Sequence, residues 1–308
     1  MPNYPRRRLA RVTGIGETIV GEPARGSQDQ SDAWTAVPEL YDSDARTSLA
    51  EDLARVWAQR RLIALIARRQ LLLRYQRSLL GVWWTLLAPS MQTAVLWIVF
   101  SHVFRRSTGH APYVVYLLAG MVIVTIMQTS ILGVTASARL NAMVLTRIRI
   151  PSEVFAIATG IDTFVSSVVL VIPLAIVMAV TGTGFDPTFP LIVVPLVLFG
   201  VMTIGVGMIL APIAARFLDV TVSLTALLLF AQYLTPVIYP ITILPHRLQL
   251  AEHFNPIYQF VTVFRSMLYD NSLGDWHAYA AMVLCASVAL ALGVFVTRRT
   301  RRFVLEAL

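Results

Sequence analysis

At 308 residues and 34.1 kDa, with 56% hydrophobic and 14% charged residues and a mean hydropathy of +0.68, the chain lies outside the range of soluble globular proteins. Its 25 basic residues are all arginine, which excludes a phosphate-binding loop of the G-x-x-x-x-G-K-[ST] type and lysine Schiff-base chemistry. The single cysteine, Cys285, cannot close an intrachain disulfide and reads as a small hydrophobe in an apolar run.

Residues 1–47 hold six arginines and seven acids among scattered Gly, Pro, Ser and Gln, with no apolar periodicity. They are expected to form a disordered cytosolic tail. No apolar core follows Arg6-Arg7-Arg8, so this is not read as a signal peptide. Order is expected from Ser48, where Ser48-Leu49-Ala50-Glu51 fits a capping box, with a helix through about Ala67. A second helical stretch follows in RRQLLLRYQRSLLGVWWTLLAPS, residues 68–90. Here Gln70, Arg74 and Arg77 share one face and Leu71, Leu72, Tyr75 and Leu79 another, with Arg69 blurring the division. Residues 48–81 thus read as amphipathic interface helices, guanidinium groups toward lipid phosphates and leucines toward acyl chains. The basic stretch runs straight into an apolar one, with Trp83 and Trp84 at the headgroup boundary, which argues against nucleic-acid binding.

Six runs within residues 82–308 approach the roughly 20 apolar residues that cross a bilayer core of roughly 30 Å. They fall at about 82–104, 112–133, 154–180, 189–214, 220–241 and 278–297. The expected fold is therefore an all-α integral membrane protein with six transmembrane helices. An even number of spans puts both termini on one side, which carries fifteen arginines outside the tail, against four on the other. The positive-inside rule places that side, and both termini, in the cytoplasm. The connection at 242–277 is long, external and partly apolar, and fits two short re-entrant helices broken at Asn255-Pro256. No internal repeat is visible, which counts against inverted-repeat secondary transporters.

Candidate chemistry is sparse. Asp162 is the acid that falls clearly inside a span, and an intramembrane carboxylate is a functional candidate; its shallow position also fits a pairing with an arginine. His102, His110, His246, His253 and His277 lie near or beyond the outer boundary without the spacing of a helical metal pair. Asp270 and Asp275 form no Asp-x-Asp motif, so neither catalysis nor a metal is expected. Pro89, Pro173, Pro195, Pro212, Pro236 and Pro240 interrupt or end spans and free backbone carbonyls. Gly200, Gly205 and Gly207 allow close helix approach along the fourth span. A gated path and static packing account for these breakers equally well. Trp83, Trp84, Trp97, Phe230, Tyr233 and Tyr239 could line a path for sugars or anchor the interface. The loop ARLNAMVLTRIRIPSEVF is long enough for a short helix before Pro151, and Arg139, Arg147, Arg149 and Glu153 give it a compact charged surface. Docking of a cytosolic partner and a bare positive-inside signal both explain it.

Together these segments resemble the permease subunits of ABC-2 type exporters, specifically those that move lipid-linked polysaccharides such as O-antigen and teichoic acid. LLLRYQRSLLGVWWTLLAPS is similar to that family's interfacial helix entering its first span, and NAMVLTRIRIPSEVF to its coupling segment. YLTPVIYP is similar to the end of its fifth span, and NPIYQFVTVFRSMLY to its external hairpin. Val82 stands where family members commonly carry Pro, and residues 1–47 have no recognised counterpart. The resemblance implies a homodimer with a path between subunits in the plasma membrane. It implies a separate ATPase subunit that holds ATP and Mg and contacts Arg147, Arg149 and Glu153, and a lipid-linked glycan as cargo. No cofactor is expected on this chain itself. The alternatives are an ABC-2 drug or small-lipid exporter and a polyprenyl-phosphate-dependent glycosyltransferase, the latter lacking its paired acids.

Overall fold

The computed structural model describes residues 54, 56–76, 83–104, 111–147, 151–185, 187–270, 272, 273 and 275–300. The tail at 1–47, the capping box at Ser48–Glu51, and Arg77 and Arg149 lie outside the described residues. Those described form helices and turns, with no strand among them.

In chain order the helices are α1 (Arg60–Tyr75), α2 (Trp83–Phe104), α3 (Tyr113–Leu140), α4 (Ala142–Arg147), α5 (Ser152–Val168), α6 (Val171–Thr181), α7 (Val193–Arg216), α8 (Asp219–Leu234), α9 (His246–His253), α10 (Pro256–Tyr269) and α11 (Trp276–Arg299). Five stretches are long and apolar enough to cross a membrane: Trp83–His102, Tyr113–Leu140, Ser152–Thr181, Phe189–Arg216 and Trp276–Arg299. The fifth expected span is shorter. Thr235 precedes Pro236, which drives it into an extended conformation, and α8 stops at Leu234 after 16 residues. At the other end of the molecule, α1 is continuous across residue 67, where no breaker stands, and its preceding turn is at Gln59.

The centre is α3, buried along most of its length. Val115, Val122 and Ile126 join a core with Phe199 of α7, Leu174 of α6 and Phe260 of α10, whose ring lies 4.9 Å from that of Phe199. Prolines set the breaks. Pro173 has no N–H to offer Val169, and the helix is interrupted at Val169–Leu170, dividing the third span into α5 and α6. Gly182, with φ +71°, ends α6 in the left-handed conformation. Pro212 likewise leaves the Met208 carbonyl of α7 without its helical donor, and the Thr297 hydroxyl of α11 lies 3.2 Å from it.

That contact depends on how closely α7 and α11 approach. A Cβ at Gly293 would stand 2.6 Å from the Gly205 carbonyl oxygen, and one at Gly205 would overlap the Ala289 backbone. By contrast α2 and α8 sit at the periphery. Leu96 and Phe100 of α2 touch Tyr113, Tyr116 and Leu117, while α8 buries only Leu224, Leu228 and Gln232.

Gly205→Ala should therefore force α7 and α11 apart and cost about 2 kcal/mol, as overpacking does. A clear fall in the thermal midpoint of the detergent-purified protein is the expected result, and an unchanged midpoint would show that the crossing is looser than described.

Candidate functional site

Two zones bring polar chemistry together, at opposite ends of the bundle. At the arginine-rich end, α5 is the hub. Ile63 and Ala67 of α1 pack on Val154 and Ala158. One and two turns further along the same face, Gln70 Nε2 donates to Thr159 Oγ1 at 3.3 Å and Arg74 forms an ion pair with Asp162. Gln70 and Arg74 thus turn toward the protein, not toward headgroups, because α5 presents a hydroxyl and a carboxylate to that face. Asp162 is 3% exposed, whereas the Arg74 side chain keeps 37%, so the carboxylate depends on the guanidinium far more than the reverse. Arg69, on another face of α1, is exposed.

The opposite flank of α5 is tied as well. Glu153, in its first helical turn, is 2% exposed and lies 3.7 Å from Arg298 Nε near the end of α11. A carboxylate there also suits the positive end of the α5 dipole. The short helix α4 docks by Leu145 into a cluster with Ala138, Phe155 and Ala215, against which Ile66 of α1 packs. Arg139 donates to the Ala214 carbonyl in the last turn of α7. The loop expected to carry a helix before Pro151 does so, and Pro151 becomes the N-cap of α5. Of its charged residues, Arg139 and Glu153 are engaged inside the subunit, and Arg147 is the last residue of α4.

A line of polar pairs climbs from this zone between α3, α5 and α8. Thr163 Oγ1 donates to Ser130 Oγ at 3.3 Å, the Thr129 and Ser167 hydroxyls are 2.8 Å apart, and Gln128 Nε2 donates to Gln232 Oε1 at 3.1 Å. These groups are buried or half-buried and satisfied by one another, as polar groups between membrane helices must be.

The second zone lies just beyond α8. The carbonyls of Ile238 and Tyr239 accept the hydroxyls of Tyr113 and Tyr116, each at 2.9 Å. Arg265 of α10, 6% exposed, donates to the carbonyls of Pro236, Val237 and Tyr116. Sequence reasoning missed Arg265, counting it only as one external arginine. Its signal was a lone arginine within the apolar FVTVFRSMLY, in a chain whose YLTPVIYP segment frees carbonyls. The expected path residues divide among α2, α8 and the segment that follows α8. Trp83, Trp84, Trp97, Phe230 and Tyr233 are exposed, while Tyr239 is half-buried and donates to the Leu234 carbonyl at 3.0 Å and the Tyr233 carbonyl at 3.2 Å. Among the described residues no group of three or more His, Cys, Asp or Glu side chains could hold a metal ion.

Residues 61–269 match the model of a family described as ABC-2 type transporter. The chain is similar to the "O-antigen export system permease protein RfbA" of Myxococcus xanthus, 27% identical over 253 residues that cover 79% of this chain and 95% of that protein. It is also similar to the protein of the same name from Klebsiella pneumoniae, 24% identical over 218 residues that cover 69% of this chain and 82% of that one.

The unequal exposure of Arg74 and Asp162 gives an asymmetric double-mutant cycle. Arg74→Ala strands a buried carboxylate and should cost about 3 kcal/mol, Asp162→Ala appreciably less, with a coupling of about 1–2 kcal/mol between them. Denaturant unfolding of the four proteins in mixed micelles measures it; additive losses would dismiss the pair as a stabilising contact.

Proposed function

The chain belongs to the ABC-2 type transporter family, and from that membership we propose that it is the membrane subunit of an exporter carrying a lipid-linked polysaccharide outward across the plasma membrane. The observation that carries the cargo assignment is the alignment with nearly the whole length of a permease named for O-antigen export. It favours a glycan over the drug or small-lipid cargo that the same architecture also serves.

In this reading α8 makes a sixth crossing. Its 16 residues rise about 24 Å, somewhat short of the roughly 30 Å core, and the non-helical Thr235–Tyr239 segment contributes the remainder. Six crossings return both termini to one side, and the arginine excess makes that side cytoplasmic. Helix α1 then lies at the inner headgroup level, with Arg69 outward and Arg74 holding α5. Helices α9 and α10 form a re-entrant hairpin in the outer leaflet, a placement supported by Ile243, Leu250 and Phe254, the last 89% exposed.

Two copies face each other through α2 and α8. These helices expose large apolar side chains that the subunit itself leaves uncovered, and Trp83, Trp84, Trp97, Phe230, Tyr233 and Tyr239 line the path between them. Aromatic faces combine apolar area with few directional bonds, which suits a polymer that must slide. A separate ATPase subunit binds ATP and Mg and supplies the drive, since a lysine-free chain has no phosphate loop. It docks on α4 and the residues after it, through Arg147 and Arg149, while Glu153 and Arg139 pass the displacement to α11 and α7. Because α4, α1 and α5 share packed side chains, a push on α4 reaches Arg74 and Asp162 within one helix length.

Removing the gene from its host should leave lipid-linked glycan accumulated at the inner face and none on the surface, with recovery on re-expression; undiminished surface glycan would refute the cargo assignment. The double reversal Arg147→Glu with Arg149→Glu should abolish export and co-purification of the ATPase while membrane insertion stays normal. Full export by that variant would remove these arginines from the docking surface.

A further inference from the structure

Helix α8 ends at Leu234, and the chain then runs through turns and bends to Pro240, where a proline again withholds an N–H. The four carbonyls of Pro236 to Tyr239 are each met by a side chain from α3 or α10. Arg265 donates through Nη2 to Val237 O at 2.7 Å and Tyr116 O at 3.0 Å, and through Nη1 to Pro236 O at 3.3 Å. Tyr113 and Tyr116 cover Ile238 O and Tyr239 O, and the guanidinium carbon rests 3.5 Å from the centroid of the Tyr116 ring.

This is an expensive way to satisfy four carbonyls. A nearly fully buried cation held by neutral dipoles and a ring face has lost its water without gaining a carboxylate among these contacts. The surroundings are cut to admit it. A Cβ at Gly120 would stand 2.5 Å from Val237 Cγ1 and 2.8 Å from Arg265 Nη2, so α3 lacks a side chain where the guanidinium sits. Helix α10 also grips the start of the segment. Asn255, its N-cap, accepts from Ile257 N through Oδ1 and donates through Nδ2 to Thr235 Oγ1 at 3.0 Å and Glu252 Oε2 at 2.9 Å. One rigid helix thus holds the segment from Thr235 by Asn255 and from Pro236 and Val237 by Arg265.

We propose that Arg265 is the positioning residue of a hinge, clamping Pro236–Tyr239 to α3 so that displacement of α10 frees the end of α8 and with it Tyr233 and Tyr239. Its importance for transport rests on the reading of those tyrosines as path residues; the clamp itself does not. Arginine is required because a planar fork serves three carbonyls while stacking on a ring, which an ammonium group cannot do.

The test uses one thiol. In a Cys285→Ser background, Ile238→Cys, at a position 4% exposed inside the clamped segment, is labelled with a membrane-impermeant maleimide in the full chain reconstituted in phosphatidylethanolamine–phosphatidylglycerol liposomes. Arg265→Lys and Tyr116→Phe, which weaken the clamp from two sides, should each raise the labelling rate about tenfold, the value of one lost charge-assisted or buried hydrogen bond. Gly120→Ala should act in the same direction. Rates within about twofold of the parent in properly inserted variants would overturn the proposal. Failure of both Arg265→Lys and Tyr116→Phe to insert would overturn it too, making the clamp a folding requirement and not a hinge. Labelling needs no cargo, so a raised rate in a chain that exports no glycan would refute the polysaccharide reading alone, and unchanged labelling beside normal export would refute the hinge alone.

Discussion

Backbone that leaves the helix inside hydrocarbon has no water to bond, so every break must be matched by a donor from a neighbouring element. The prolines of this chain create that demand, and much of its tertiary structure answers it. Pro212 frees the Met208 carbonyl and Thr297 comes within reach of it. Pro236 and Pro240 bound a non-helical stretch of turns and bends, and two tyrosines and an arginine converge on it. The side chains that bind these carbonyls also fix which helices are neighbours, so the breaks specify the packing as much as they interrupt it.

The same economy governs the charged groups. Asp162 and Glu153 both stand on α5, nine residues apart, and each holds an arginine from a different helix, Arg74 of α1 and Arg298 of α11. Neither carboxylate can rest in a dry interior alone. Their pairing makes α5 a common member between the N-terminal helix, the loop helix α4 that precedes it, and the C-terminal helix. A disturbance entering at α4 is shared among three elements by ionic and packed contacts, not by the loop alone.

Much of this was legible in the sequence. Runs of some twenty apolar residues mark spans whatever their neighbours, and Asn255-Pro256 marked the break between α9 and α10. Less legible was anything that depends on a distant partner. The second span was expected to end near residue 133 but continues to Leu140, because Ser137 bonds its own helix at the Val134 carbonyl and Arg139 finds the Ala214 carbonyl. The inward face of α1 is set by Asp162, 88 positions away, and the role of Arg265 by Tyr116, 149 positions away. Periodicity reports that a helix has a polar face; it does not report which other helix will meet it. The aromatic residues of α2 and α8 were named from composition, and their exposure on two peripheral helices emerged only from the packing.

The seam between α7 and α11, where Gly205 meets Ala289 and Gly293, leaves no slack for sliding or tilting. Those two helices, with α3 buried beside them, make an unyielding pillar. Whatever shape change the subunit undergoes must then carry α7 and α11 together as one body, with adjustment confined to the elements packed around them.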